Sequence, residues 1–311
     1  MGPGNQSSVS EFLLGGISHK PEHQQILLGL FLFMYLVTLV GNLLIFLAIL
    51  LEARLHTPMY FFLACLSLAD IGLSSTTVLK MLVNTSTQCH TISYIGCLTQ
   101  LYFFLTFGDL DSFLLAVMAY DRYVAICRPL HYSTAMRPRI CILLVSLCWV
   151  LTNLVALIHT LLMAQLSFCV PGEVSQFFCD IGPLLKLSCS DTRINELMVF
   201  AVGGPVMTIP FLCIVASYVL IVSAILRIPS GSGGRLKTFS TCGSHLSVVC
   251  VFYGTVLSAY FCPSTEETAS SVVYTAVTPM LNPFLYSLRN QDMKAGLANL
   301  LRGRLSISQA Q

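Results

Sequence analysis

Apolar residues fall in seven long runs, separated by short polar connections. They occupy about residues 26–50, 58–83, 98–120, 140–163, 196–226, 238–262 and 271–288. A hydrocarbon layer about 30 Å thick takes roughly 20 apolar residues as a helix, so each run predicts a membrane span. The expected fold is all-α: a bundle of seven transmembrane helices. Residues 1–25 read as a polar N-terminal tail, 26–288 as the bundle, and 289–311 as an amphipathic helix and tail. In that last stretch Met293, Leu297 and Leu300 recur at spacings of four and three, which suits a short helix lying along a membrane surface.

Composition agrees with this pattern. Of 311 residues, 55% are hydrophobic and only 10% charged, against about 25% charged in a soluble domain. The spans leave no room for a soluble catalytic domain. Net charge is only +2, but its distribution carries information. Twelve of the 16 Lys and Arg lie in connections on one side, among them Arg54, Arg128, Arg137, Arg139, Arg227 and Lys294. That side is expected to be cytoplasmic, which puts the N-terminus outside and the C-terminus inside. No cleavable leader is apparent, because no basic segment precedes a short apolar run. Asn5-Gln6-Ser7 is an expected glycosylation acceptor on the outer tail. Asn84-Thr85-Ser86 also matches, but at the end of the second span, where a transferase would reach it with difficulty.

Of the 13 cysteines, Cys65, Cys127, Cys141, Cys148, Cys213, Cys242 and Cys250 read as small buried hydrophobes. Cys97, Cys169, Cys179 and Cys189 face the oxidising side, where four thiols allow three pairings. No Cys/His spacing fits a metal, no cofactor is implied, and nothing points to nucleic acid.

Polar groups inside spans are expensive and mark function. Asp70 and Asp111, with Asn42 and Asn282, are expected to form one interior network. It would hold an ion or proton, or simply tie helices together. Asp109 is two residues from Asp111, so the two carboxylates point to different neighbourhoods. Asp121-Arg122-Tyr123 ends the third span, where Arg122 is expected to pair with Asp121 in a resting state. Pro205, Pro210, Pro279 and Pro283 interrupt the fifth and seventh spans, and each frees a carbonyl that needs an internal partner. Phe104, Gly108 and Ser112, four apart, form one stripe on the third helix, with Leu105 and Asp109 on a neighbouring one.

Several ordered motifs resemble the rhodopsin-like G-protein-coupled receptors, and among them the odorant receptors of tetrapods. They are Gly41-Asn42, Leu55-His56-Thr57-Pro58-Met59-Tyr60-Phe61, Met118-Ala119-Tyr120-Asp121-Arg122-Tyr123, Lys237-Thr238-Phe239-Ser240-Thr241-Cys242 and Pro279-Met280-Leu281-Asn282-Pro283. The resemblance runs from Asn5 to about Asn290. It departs from the family at Pro229 and Gly231 to Gly234, in the third cytoplasmic connection.

The resemblance implies a rhodopsin-like bundle that binds a small, neutral volatile molecule and is not an enzyme. It also implies a stimulatory olfactory G protein, a rise in cyclic AMP, and a place in the plasma membrane of olfactory cilia. Membrane lipid and a trafficking protein are the other expected partners. By position in the family fold, Met207, Tyr253, Val256, Leu257, Tyr260 and Thr275 join the third-helix stripes around the ligand. Cys97–Cys179 and Cys169–Cys189 become the expected bridges. Activation and coupling fall to Asp121, Arg122, Tyr123, Tyr218, Lys237, His245, Pro283 and Tyr286. A rhodopsin-like receptor for another small ligand, outside olfaction, is the alternative. A transporter lacks support from inverted repeats, and an intramembrane enzyme lacks hydrolase or metal spacing around His159 and His245.

Overall fold

A computed structural model describes residues 10–15, 21–168, 173–227, 234–261, 271–289, 291–301 and 303. Asn5, Cys169 and the connection at Pro229 lie outside the described residues, as do the side chains of Lys237 and Tyr260. The long helices are α1 (Pro21–Leu51), α2 (Pro58–Thr87), α3 (Tyr94–Cys127), α4 (Pro138–Ala164), α5 (Arg193–Leu226) and α6 (Gly234–Phe261). A shorter α7 enters through a π turn, Val273–Val277, and continues as Thr278–Arg289; α8 follows at Gln291–Leu301. Among the described residues the first five are long and apolar enough to cross a membrane, and α6 contains an apolar stretch, His245–Ser258. Large apolar side chains point outward, with Leu143 66% and Leu212 62% exposed. Only a nonaqueous surround favours so much bare hydrocarbon.

The helix starts follow local rules. Pro58 and Pro138 occupy the first turns of α2 and α4, where a missing N–H leaves no bond unmade. Ser93 caps α3, its hydroxyl accepting from the Gly96 N–H at 3.1 Å. Prolines also explain both π turns. Gly204 N–H reaches back five residues to Val199 O, and Thr278 N–H to Val273 O, each one residue before a proline. The proline that follows has no N–H to continue the ladder.

α3 is the axis, packed on α2, α4 and α5. One core runs through the bundle, with Leu66, Leu73, Leu114, Leu115 and Phe252 almost completely buried. A second, smaller core fills the cap around Phe12, Leu101 and Phe168.

That cap differs from the expected polar tail. The N-terminal segment is not all tail: α1 begins at Pro21, and Glu11–Leu14 forms a strand, β1. Within the all-α body there is a small sheet, ordered β2-β1-β3, with β2 Thr91–Ser93 antiparallel and β3 Glu173–Val174 parallel to β1. Phe12 anchors it, its ring edge-on to Phe168 at 5.1 Å. Two cysteines also depart from expectation, since Cys213 and Cys250 are exposed on outer helix faces. Asn84 is buried within α2.

At the opposite end, α8 docks on the connection between α1 and α2. Met293 and Gly296 are buried there. A Cβ on Gly296 would meet Leu55 Cδ1 at 3.0 Å, so the backbone approaches closely. Asn299 Nδ2 donates to Glu52 Oε1 at 2.8 Å.

Candidate functional site: an aromatic chain, a polar interior and an inner end

Beneath the cap lies a chain of aromatic rings, held in place from above. Cys97 is disulfide-bonded to Cys179, closing a loop of 82 residues. The Cys179 N–H donates to Gln100 Oε1 at 2.9 Å, and Gln100 Nε2 donates to Thr76 O at 2.8 Å. Three elements are thus fixed at one point, and the residues before Cys179 turn into the bundle. Phe178 packs on Phe104 at 4.8 Å, Phe104 edge-on to Tyr274 at 6.0 Å, and Tyr274 on Phe252 at 5.5 Å. Phe252 continues to Tyr253 at 5.1 Å, and Tyr253 to Phe211 at 4.9 Å. These separations suit offset and edge-to-face contacts. Cys189 is also disulfide-bonded, while Cys169 lies outside the described residues.

The third-helix stripe faces this chain. Gly108 leaves space that Tyr274 occupies: a Cβ built there would run into the Tyr274 hydroxyl. Ser112 Oγ and Tyr253 Oη share a hydrogen bond of 2.7 Å. Phe104, Asp109 and Val256 are buried, and Leu105 and Met207 half-buried. Leu257 does not join them; at 49% exposed it lies on the outer face. Thr275 is buried, but its hydroxyl turns back to Ser271 O at 2.7 Å. The ring that meets Gly108 belongs to its neighbour Tyr274. Tyr274, Phe178, Phe252 and Gln100 were not singled out from sequence. The aromatic pair beside Cys179 was the available signal for Phe178.

Below the rings, the polar residues converge. Asn282 Nδ2 bridges both Asp70 carboxylate oxygens, at 3.0 and 2.8 Å. Asp111 is buried within electrostatic reach of Asp70, and its Oδ1 has no hydrogen-bond partner among the described residues. The prolines of α7 free two carbonyls, and both are caught. Pro283 cannot donate to Pro279 O, which accepts from Asn42 Nδ2 at 3.1 Å. Pro279 cannot donate to Thr275 O, which accepts from Ser74 Oγ at 3.2 Å. Close packing permits the first bond, because a Cβ on Gly41 would already meet Pro283 Cγ at 3.0 Å. Each freed carbonyl ties α7 to a different helix.

The inner end differs from expectation in one respect. Asp121 does not pair with Arg122. Its carboxylate accepts from Tyr132 Oη at 2.9 Å, and Arg122 Nη2 reaches Met59 Sδ. Among the described residues the ion pair is Arg193–Asp191, on the surface. A carboxylate offered a neutral donor inside the fold has no need of the guanidinium. Burial and the Asp121 charge push the Tyr132 phenol up from its ordinary value, so it stays protonated and keeps donating. Nearby, Tyr218 Oη and His245 Nδ1 lie 2.7 Å apart with stacked rings. Tyr286 is buried, its hydroxyl without a partner among the described residues.

Several apolar helices long enough to cross a membrane and a covalently closed cap define a polytopic membrane protein. A family model described as olfactory receptor matches residues 31–304. The chain is 66% identical to human olfactory receptor 1N1, covering 98% of this chain and 99% of that protein. It is 57% identical to mouse olfactory receptor 1M1, covering 99% of this chain and 100% of that one, and 58% identical to human olfactory receptor 1P1, covering 99% and 95%. The chain belongs to the olfactory receptor family. It is therefore a seven-helix, rhodopsin-like G-protein-coupled receptor for odorants, spanning the plasma membrane several times, and not an enzyme.

Proposed function

We propose that this receptor binds small, neutral volatile molecules in the chamber beneath residues 177–179, between α3, α5, α6 and α7. One observation carries the reading: a run of contacting aromatic rings passes α3 at Gly108, where the Tyr274 hydroxyl takes the space a side chain would fill. Pockets of this kind are mostly apolar with a few placed polar groups. Phe104, Leu105, Asp109, Ser112, Met207, Tyr253 and Val256 supply such a lining, and none is basic, which disfavours carboxylate ligands. Tyr260 would extend it outward.

Ligand binding favours a population in which the inner ends of the helices part. Arg122, Tyr123, Tyr218, Lys237 and His245 then form the face for a stimulatory, olfactory-type G protein, and cyclic AMP rises. Pro283 and Tyr286 transmit the shift, and Asn42, Asp70, Asp111 and Asn282 carry it across the middle of the bundle. The basic connections support a cytoplasmic C-terminus and an extracellular, Asn5-glycosylated N-terminus. On this reading Cys169 closes the second bridge with Cys189, Arg137 and Arg139 also touch anionic lipid, and a trafficking protein brings the receptor to olfactory cilia.

The test is a cyclic-AMP screen over chemically diverse odorants, in cells expressing a receptor-trafficking protein, repeated with Gly108→Phe. The bulky ring would displace Tyr274 and fill the chamber. Every response should disappear at unchanged surface labelling. An unaltered dose response would remove α3 from the ligand site.

A further inference from the structure

Four carboxylates are buried in α2 and α3, and three have evident company. Asp70 holds the Asn282 amide, Asp121 holds the Tyr132 hydroxyl, and Asp111 faces Asp70. Asp111, like Asp109, has no hydrogen bond among the described residues, but it lies within electrostatic reach of a second carboxylate; Asp109 stands apart from that group. Its side chain is more than nine-tenths buried, and among the described residues no hydrogen bond or ion pair reaches it. Buried polar groups nearly always have partners, and one that lacks them calls for an explanation.

Its position supplies one. Asp109 follows Gly108, at the level where the aromatic chain passes α3, and it shares a stripe with half-buried Leu105. Its polar neighbour is the Tyr253 phenol, which lies within electrostatic reach and is already bonded to Ser112 at 2.7 Å. The carboxyl therefore stands beside the chamber with acceptor oxygens to spare and, among the described residues, no ion pair. An aspartate offers two acceptor oxygens, and a hydrocarbon ligand satisfies neither. Leaving such a group unmet costs more than the bond itself returns, which makes the site selective for whatever meets it.

We infer that Asp109 sets ligand class: the preferred odorants carry a hydrogen-bond donor, a hydroxyl or an amine, which is received by the Asp109 carboxyl while the apolar remainder packs on the aromatic rings. This rests on the chamber being the odorant site. It narrows the small volatile ligands to donor-bearing molecules and admits protonated amines beside the neutral ones, with esters, ethers and hydrocarbons of equal size disfavoured.

Matched probes test it. Octan-1-ol, octylamine and methyl octyl ether form one set, and benzyl alcohol, benzylamine and benzyl methyl ether another. Each is assayed by cyclic-AMP response on wild type, Asp109→Leu and Asp109→Asn, normalised to surface labelling. Wild type should favour the donor-bearing members. In Asp109→Leu their potency should fall about tenfold or more, the loss expected when a hydrogen bond to the buried carboxyl is removed, with the ether changed by less than about twofold. Asp109→Asn keeps size and one acceptor oxygen, so it should fall between the two and guard against a folding defect in the leucine variant. Loss of the amine response alone in Asp109→Asn, with the alcohol kept, would assign the site to cations; parallel losses would assign it to donors generally. The inference is overturned if wild type shows no preference for donors, or if alcohol and ether shift equally in Asp109→Leu. Such a result, with Gly108→Phe still silent to all ligands, leaves the chamber in place and removes only the role of Asp109.

Discussion

The outer and inner ends of this bundle are held by different kinds of bond. At the outer end a disulfide, a three-stranded sheet and a chain of rings converge on one loop. At the inner end the helices meet through single hydrogen bonds between neutral and charged side chains: Tyr132 to Asp121, Tyr218 with His245, Asn299 to Glu52. Covalent and sheet contacts fix one geometry, while lone hydrogen bonds can exchange partners at a net cost of about 1 to 3 kcal/mol each. The difference separates a receptacle that keeps its shape from an end that can open. The middle layer joins the two, because α7 is tied to α1 and α2 through the carbonyls its prolines free.

Breaking the outer clamp should have the largest effect. In the chain-entropy description, a bridge closing 82 residues is worth about 4.5 kcal/mol. Cys97→Ser should therefore reduce surface receptor at least about tenfold by labelling of intact cells, with the remainder retained as misfolded protein. Normal surface density would mean that the sheet and rings suffice to hold the cap. Next in size is Arg122→Ala. It leaves the chamber untouched, so ligand binding should persist while cyclic-AMP output falls to near baseline at equal surface density. Full output would show that the inner end couples without the guanidinium.

Asp111→Asn sharpens the boundary between the halves. It keeps shape and removes the charge facing Asp70, so surface delivery should stay near normal while basal or ligand-driven cyclic AMP shifts several-fold. An unchanged dose response and basal level would make the middle layer structural only. Tyr132→Phe should be smallest. It removes one donor from Asp121, a bond to a charged group worth about 2 kcal/mol, and frees Asp121 to attract Arg122. A modest change in basal cyclic AMP, without loss of surface receptor, is expected; no change in either would show that this bond does not restrain the inner end.

The spans were readable because a membrane leaves little choice: long apolar runs become helices whatever their neighbours do. Their ends were less so. α3 starts at Tyr94, before the apolar run, because Ser93 caps it, and it continues through Asp121 to Cys127. The strands were not legible. Glu11–Leu14 is four residues long, and its partners lie at Thr91–Ser93 and Glu173–Val174, so nothing local marks it. The interior residues Asn42, Asp70, Asp111 and Asn282 stood out as polar groups among apolar ones; Asn282 bonds Asp70, Asp111 lies within electrostatic reach of it, and Asn42 bonds the Pro279 carbonyl instead. Tyr274 did not stand out for a geometric reason. It lies in a π turn, which adds a residue to the helical repeat and rotates the face presented to Gly108. Position in the family fold pointed to its neighbour Thr275 instead. Likewise Arg122 and Asp121 invite pairing as sequence neighbours, and only the fold reveals that Tyr132 arrives first.

The small sheet also imposes an order of assembly. Its central strand, β1, is among the first segments to be synthesised, yet one edge partner comes after α2 and the other after α4. Until Val174 has been made, Phe12 has only part of its final surroundings. β1 therefore waits unpaired until two helices have been laid into the membrane, and paired on one edge only until four have. Completion of the cap then reports that the first half of the receptor has been threaded correctly.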